Sequence, residues 1–127
     1  MKNITFITQT RSENPLKVNS VNSIISQLND DLKANINLIL NHQLSSLPKN
    51  VYKEISLSKN IFKIKSSFLP LSESRNLLLN YGKKNFLDTD YFVILDDDVR
   101  INNLKEYLFT FNNYCLKYNF DFASSHI

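Results

Sequence analysis

Glycine is almost absent from this sequence: Gly82 is the only one among 127 residues. Loops that cradle phosphate groups generally need glycine where the backbone closely approaches the ligand. The scarcity of glycine therefore excludes Walker-type and dinucleotide-binding fingerprints. Cysteine is equally rare, and the single Cys115 cannot form an intramolecular disulfide. Its position in an apolar helical stripe predicts a packing residue rather than a nucleophile.

Long apolar runs and strong charge are missing as well. No stretch of about eighteen apolar residues could span a bilayer, so we expect a soluble protein in the cytoplasm or at the inner face of a membrane. The net charge of +3 is spread along the chain, without a basic run longer than Lys83-Lys84. That distribution predicts no nucleic-acid partner. The length of 127 residues is typical of one domain with one core.

Apolar patterning predicts strands that alternate with helices along the chain. The strands are expected at residues 3–8, 35–41, 60–65, 91–95 and 120–123. The helices are expected from Pro15 through Leu32, briefly near Val51 to Ile55, from a cap at Ser72 to near Gly82, and from Leu104 to Tyr118. This alternation implies an α/β fold with a mostly parallel sheet and flanking helices.

The strand at residues 91–95 is continuously apolar, which predicts a central strand covered on both faces. The apolar stripe of the helix that follows it is expected to be core. Ligands of such sheets bind outside the carboxyl ends of the strands. The rule selects residues 8–11, 41–43 and 96–100 as the candidate site.

Three adjacent aspartates follow this apolar strand and are the sharpest feature of the sequence. Adjacent carboxylates repel one another unless water, a cation or a basic partner offsets their charge. In extended backbone Asp96 and Asp98 point to one side and Asp97 to the other. Carboxylates suit Mg²⁺ or Mn²⁺, which share phosphate oxygens of a substrate. The alternative is an acidic turn that caps the next helix or pairs with Arg100.

Two arginines near the predicted strand ends are candidates for binding anions. Arg75 and Asn76 are expected in the first turn of a helix, where free backbone amides and a guanidinium favour a diphosphate. Arg11 follows the first strand and is a similar candidate. The alternative for each is an ordinary surface arginine. His42 has no second histidine or cysteine at ligand spacing, which argues against zinc.

Three segments of the chain, in this order, resemble family 2 glycosyltransferases of the GT-A fold. Residues 4–11 resemble the family's opening strand and its turn toward the nucleobase. Residues 72–77, Ser-Glu-Ser-Arg-Asn-Leu, resemble the segment that opens the helix before the metal strand. Residues 91–99 resemble the strand that ends in the aspartate signature. The resemblance covers nearly all of this chain but only the front half of the family's domain.

This resemblance implies a Rossmann-like nucleotide-sugar-binding domain over residues 1–127, incomplete because the family's later half supplies the acceptor site and the general base. It also implies transfer from a nucleotide-diphosphate sugar, most often a UDP-sugar, to a glycan or lipid-linked acceptor, with Mn²⁺ or Mg²⁺ as cofactor. Asp98 and Asp96 would ligate the metal. The implied nucleotide-sugar contacts are Thr8, Thr10, Arg11, Asn41, Arg75, Asp96 and Asp97.

The chain departs from the family at the end of the second strand, where an acidic residue usually reads the base. Asn41-His42 stands there instead, and an amide can still exchange hydrogen bonds with a base. No residue of this chain is assigned as the general base.

Two readings from other classes stay open. A receiver-like signalling domain has a similar length and an acidic Mg²⁺ site, but its chemistry requires an acidic pair after the first strand, where this chain has Thr8-Gln9-Thr10. A non-catalytic interaction domain would present the aspartates as an exposed turn. Its unfinished sheet edge would favour self-association.

Overall fold

The computed structural model describes residues 1–118, in which one sheet has helices on both faces. The strands are β1 (Ile4–Thr10), β2 (Ile36–Gln43), β3 (Lys53–Ser56), β4 (Ile61–Ser66) and β5 (Tyr91–Leu95). The helices are α1 (Asn19–Gln27), α2 (Asp30–Lys33), α3 (Leu71–Asn85) and α4 (Leu104–Lys117), with a short 3-10 helix at Pro15–Lys17. The strand expected at residues 120–123 lies outside the described residues. Across residues 1–118, no helix has the length and apolar character needed to cross a membrane.

The strands are arranged in the order β3-β4-β2-β1-β5. β1 runs parallel to both β2 and β5, and β2 runs parallel to β4, whereas β3 is antiparallel to β4. The prediction of an α/β fold with a mostly parallel sheet is therefore confirmed. Because β1, β2, β4 and β5 run in the same direction, their carboxyl ends share one edge of the sheet.

Helices pack on both faces of the sheet. Because successive side chains of a strand point to opposite faces, each strand can contribute to the core on both sides. On one face Phe6, Leu38 and Leu40 pack with Ile24 of α1 and Leu104 of α4. The opposite face packs against α3 through a smaller cluster of buried residues, which are Ile7, Ile39, Ile64, Leu78 and Tyr81. The helices thus pack against the faces of the sheet, and loops follow the strands at its carboxyl edge.

The prediction of a short helix near Val51 to Ile55 is wrong, because strand β3 begins within this stretch. Asn50 adopts a left-handed backbone with φ of 64°, which turns the chain ahead of the strand. Ile55 then lies opposite Lys63 in the antiparallel pairing with β4. Pairing with β4 satisfies the backbone groups that a helix would have satisfied internally.

The boundaries of two predicted helices also differ from the prediction. The single helix expected from Pro15 through Leu32 is interrupted at Leu28, whose backbone is extended, and Asn29 caps the separate α2 by accepting a hydrogen bond from Leu32 N at 3.0 Å. Helix α3 begins at Leu71, with Pro70 rather than Ser72 at its N-cap position, and continues past Gly82. The Phe92 ring lies where a Cβ on Gly82 would be, so this glycine permits close approach of α3 to β5.

Strand β5 is not central within residues 1–118, because β1 is its sole neighbour there. Phe92 and Val93 pack against the two core clusters on opposite faces, whereas Ile94 is 47% exposed. The continuous apolar run of β5 therefore reflects packing on both faces at Phe92 and Val93. It does not indicate a neighbouring strand on each edge or full coverage at Ile94.

The apolar stripe of α4 is core only in its first half. Leu104 and Leu108 are buried, and Tyr107 and Phe111 pack against them. Further along, Cys115 is partly buried, while Tyr114 and Tyr118 are 44% and 49% exposed. In the described part of the chain, the second half of α4 therefore contributes little burial.

Replacing Leu104 with alanine is expected to lower the free energy of unfolding by about 2–5 kcal/mol, because its side chain is fully buried. Leu116 is the matched control, since it lies in the same helix and is 85% exposed. The Leu116→Ala variant is expected to change stability by less than about 0.5 kcal/mol. Urea unfolding of both variants checks this difference, and equal losses would contradict the assigned faces of α4.

Candidate functional site

The carboxyl ends of β1, β2 and β5 meet in one cleft of about 290 Å³. Thr10 Oγ1 donates a hydrogen bond to Asp97 Oδ2 at 2.8 Å, and Arg11 Nε donates to Gln43 Oε1 at 3.1 Å. These two bonds join the three chain segments that the strand-end rule selected. The cleft is lined by Gln9, Thr10, Arg11, Gln43, Leu69, Leu71 and Asp97.

The three aspartates form a turn that is fastened to the start of α1. The carbonyl of Asp97 accepts a hydrogen bond from Ser20 N at 3.1 Å, and the carbonyl of Asp98 accepts one from Asn19 Nδ2 at 3.2 Å. The first bond satisfies a backbone amide that the helix itself leaves unpaired. Asp97 is partly buried against Thr10, whereas Asp96 and Asp98 are exposed. Their carboxylates are therefore accessible to ligands.

Arg75 lies next to these aspartates, but not in the first turn of its helix. Because α3 begins at Leu71, both Arg75 and Asn76 fall in the second turn. Arg75 Nη2 is 3.9 Å from Asp96 Oδ1, with side chains 37% and 71% exposed, so solvent screens this ion pair. The Nε atom of Arg75 is buried and has no hydrogen-bond partner within residues 1–118. The guanidinium thus lies beside the aspartate turn, although Arg75 is not among the residues that line the cleft.

Asn41 lies behind the cleft and is fully buried. Its Oδ1 accepts hydrogen bonds from Ser74 Oγ at 2.7 Å and Gln43 Nε2 at 2.9 Å. Its Nδ2 donates to Ile64 O at 3.0 Å and Ser66 Oγ at 2.9 Å. These bonds use the full capacity of the amide. Asn41 therefore supports the cleft, and direct contact with a nucleotide would require it to give up one of them.

Thr8 also lies behind the cleft rather than in its lining. It is 2% exposed, and its Oγ1 is 3.2 Å from Ser20 Oγ of α1. Thr10 is also largely buried, at 3% exposure, but it belongs to the cleft lining, and its hydroxyl accepts a hydrogen bond from Ser12 N at 3.1 Å. Of the two predicted threonines, Thr10 is the one in a position to contact a ligand.

Arg11 lies at the mouth of the cleft and is held by several groups. Its guanidinium stacks over the Phe68 ring at 4.1 Å from the centroid, and its Nη2 lies 3.4 Å from Leu69 O. A guanidinium that is held by an aromatic ring and a glutamine loses less conformational entropy on binding an anion than a mobile guanidinium does.

Gln43 lies at the end of a segment that the strand-end rule selected, but it was not named as a contact, and Ser74 was not identified from the sequence. Gln43 accepts hydrogen bonds from Arg11 and from Leu69 N, the latter at 3.1 Å, and Ser74 bonds Asn41 from α3. Alternation along β2 places Asn41 and Gln43 on one face, which was the available signal. Ser74 reaches Asn41 because α3 packs against β2, and no local sequence pattern predicts that contact.

Within the described residues, no group of three or more His, Cys, Asp or Glu side chains is arranged to hold a metal ion by itself. A site for Mg²⁺ or Mn²⁺ does not require such a cage, because these ions keep waters and share substrate phosphate oxygens with one or two carboxylates. The exposed Asp96 and Asp98 have the chemistry for that mode of binding.

His42 is buried beside this edge of the sheet. Its Nε2 lies 3.0 Å from Ser12 O, and its Nδ1 has no hydrogen-bond partner among the described residues. Burial is the largest effect on the pKa of His42 and lowers it below the ordinary value of 6.5, while the Ser12 bond opposes this shift and Lys63 and Lys65 add to it. The folded chain therefore favours neutral His42.

Stability is expected to fall as the pH drops below the ordinary histidine pKa of 6.5, because the unfolded chain then binds a proton that folded His42 resists. One proton limits this slope to ~1.4 kcal/mol per pH unit. The His42→Gln variant keeps a donor for Ser12 and is expected to lose less stability. Urea unfolding at about pH 7.5 and about pH 5.5 measures both proteins. Equal losses of stability in the two proteins would show that His42 does not cause the pH dependence.

No protein-family model, curated protein sequence or solved structure matches this chain. The function therefore has to be inferred from the cleft and from the residues that line it.

Proposed function

We propose that this cleft binds the nucleoside-diphosphate part of a nucleotide sugar together with a divalent cation, as the donor side of a glycosyltransferase similar to family 2. The observation that carries the proposal is the meeting of the Asp96–Asp98 turn with Arg11 and Arg75 at the carboxyl edge of parallel strands. Ligands of open α/β sheets bind at this edge.

The charges around the cleft suit a diphosphate. Two guanidiniums, from Arg11 and Arg75, can donate paired hydrogen bonds to phosphate oxygens. Within residues 1–118, Arg75 makes one ion pair, a screened contact with Asp96, and its side chain is 37% exposed. An anion at this edge would therefore meet available donors. The carboxylates, in contrast, would repel it unless a cation lies between them.

Asp96 and Asp98 are the residues that would hold Mg²⁺ or Mn²⁺. Both are exposed, and neither carboxylate accepts a hydrogen bond from the described residues. When bound, the cation would neutralise the diphosphate and favour its departure from the sugar. Asp97 has a different role, because its bond to Thr10 positions the turn.

The apolar part of the cleft suits the base and ribose. Leu69 and Leu71 line one side, and the guanidinium of Arg11 lies over Phe68 beside them. Apolar walls with a few polar groups are typical of small-molecule sites. A volume of about 290 Å³ is at the small end of the usual range, so the sugar would extend beyond the cleft. UDP-sugars and glycan or lipid-linked acceptors are the proposed substrates.

Binding of UDP is expected to depend on Mn²⁺ and to weaken at least about tenfold in the Asp98→Ala variant, because the cation loses a ligand. Asp88→Ala is the matched control, since Asp88 is an exposed aspartate that precedes β5 at the opposite edge of the sheet. Isothermal titration calorimetry of the three proteins, with and without Mn²⁺, measures the effect.

Equal affinity in the Asp98→Ala and Asp88→Ala variants would refute the assigned metal ligand. Absence of UDP binding in the unaltered chain would refute the proposed function. The result would favour the non-catalytic interaction domain, for which Phe109 and Leu116 of α4 offer exposed apolar surface at 60% and 85% exposure.

A further inference from the structure

A strip of lysines lies on one face of the sheet, apart from the cleft. Lys53 of β3 is paired directly with Lys65 of β4, and Lys65 is paired with His42 of β2. Lys63 is two residues before Lys65 and therefore points to the same face. We call Lys53, Lys63 and Lys65 the lysine strip.

The lysine strip is electrostatically unfavourable in the chain alone. Like charges directly opposite each other on neighbouring strands destabilise a sheet. Glu54 lies between Lys53 and Ile55 in β3 and so points to the other face. Within residues 1–118 the single ion pair joins Arg75 and Asp96, so neither Glu54 nor Glu13 of the loop after β1 neutralises the strip.

Protection of a sheet edge does not explain the whole strip. Lysine on an edge strand prevents pairing with other chains, and this would account for Lys53. Lys63 and Lys65, however, lie on β4, which has β3 and β2 on its two sides. Both are only partly exposed, and burial together with Lys65 lowers the pKa of Lys63. An anionic partner would offset this repulsion.

The side chains beside the lysine strip indicate whether it suits a nucleic acid or a lipid surface. Ile55 is paired with Lys63 on the same face, and Leu57, the residue that follows β3, is 39% exposed. The aromatic residue of β4, Phe62, points to the other face and packs against Tyr81 and Phe86. Single-stranded nucleic acid is usually bound by stacking on aromatic residues. Lysines beside aliphatic side chains suit a lipid interface.

We propose that the lysine strip, with Ile55 and Leu57, is a docking surface for membranes that contain anionic phospholipids. The lysines attract the lipid headgroups, and the two aliphatic side chains rest on the interface. The surface is independent of the nucleotide cleft, because Lys53, Lys63 and Lys65 do not line it.

Flotation with lipid vesicles tests this proposal. The chain is expected to float with vesicles of equal parts phosphatidylcholine and phosphatidylserine, and not with phosphatidylcholine alone. The double variant Lys63→Gln, Lys65→Gln is expected to bind the mixed vesicles at least about tenfold more weakly. The matched control is Lys83→Gln, Lys84→Gln, which removes the same charge from exposed positions near the end of α3. This control should bind like the unaltered chain.

Equal weakening by the two double variants would overturn the proposal, since net charge alone would then explain binding. Binding without phosphatidylserine, or tighter binding to a single-stranded oligonucleotide than to the mixed vesicles, would also overturn it. Circular dichroism checks that the variants fold. If the Lys63→Gln, Lys65→Gln variant does not fold, Lys53→Gln on the exposed strand β3 replaces it, with Lys83→Gln as its control and the same direction of change expected.

Discussion

The side-chain amide of Asn41 holds together the edge of the sheet on which the candidate site depends. Its hydrogen bonds reach Ile64 and Ser66 of β4, Gln43 of its own strand and Ser74 of α3. A fully satisfied buried amide rigidifies its surroundings, whereas the loss of one partner would leave buried polar groups unpaired at a cost of about 1–3 kcal/mol each. The position of α3 relative to β2 is therefore tied to one asparagine.

The hydrogen bonds of Asn41 also help to position the residues that line the cleft. Gln43, held by Asn41, accepts from both Arg11 and Leu69, so one glutamine fixes an arginine and an apolar wall on the same side. On the other side the Thr10 bond to Asp97 closes β1 onto the aspartate turn. Satisfied groups build this frame. Among the described residues, the buried side-chain atoms without a partner are Gln9 Oε1, which belongs to the cleft lining, and His42 Nδ1 and Arg75 Nε, which lie outside that lining.

The sequence predicted the parts of this fold that arise from local patterns. Period-two and helical spacing located β1, β2, β4, β5, α3 and α4, and the strand-end rule selected the segments that meet in the cleft. Features that depend on tertiary partners were missed. β3 forms because β4 is available to pair with it, and Asn41 is buried because Ser66 and Ser74 meet its amide. No local pattern distinguishes an asparagine that supports a site from one that contacts the ligand.

The proposed account requires that a nucleoside diphosphate binds at the carboxyl edge and nowhere else on the sheet. Chemical-shift mapping by ¹⁵N–¹H NMR, with UDP and Mg²⁺ added to the labelled chain, tests this requirement most directly. The account predicts that the largest shifts fall on backbone amides at Thr10, Arg11, Gln43 and Asp96 to Val99, with little change at the amino ends of the strands. Shifts centred on Met1, Leu32 and Phe109, which line a second pocket of about 390 Å³, or no shifts at all, would contradict it.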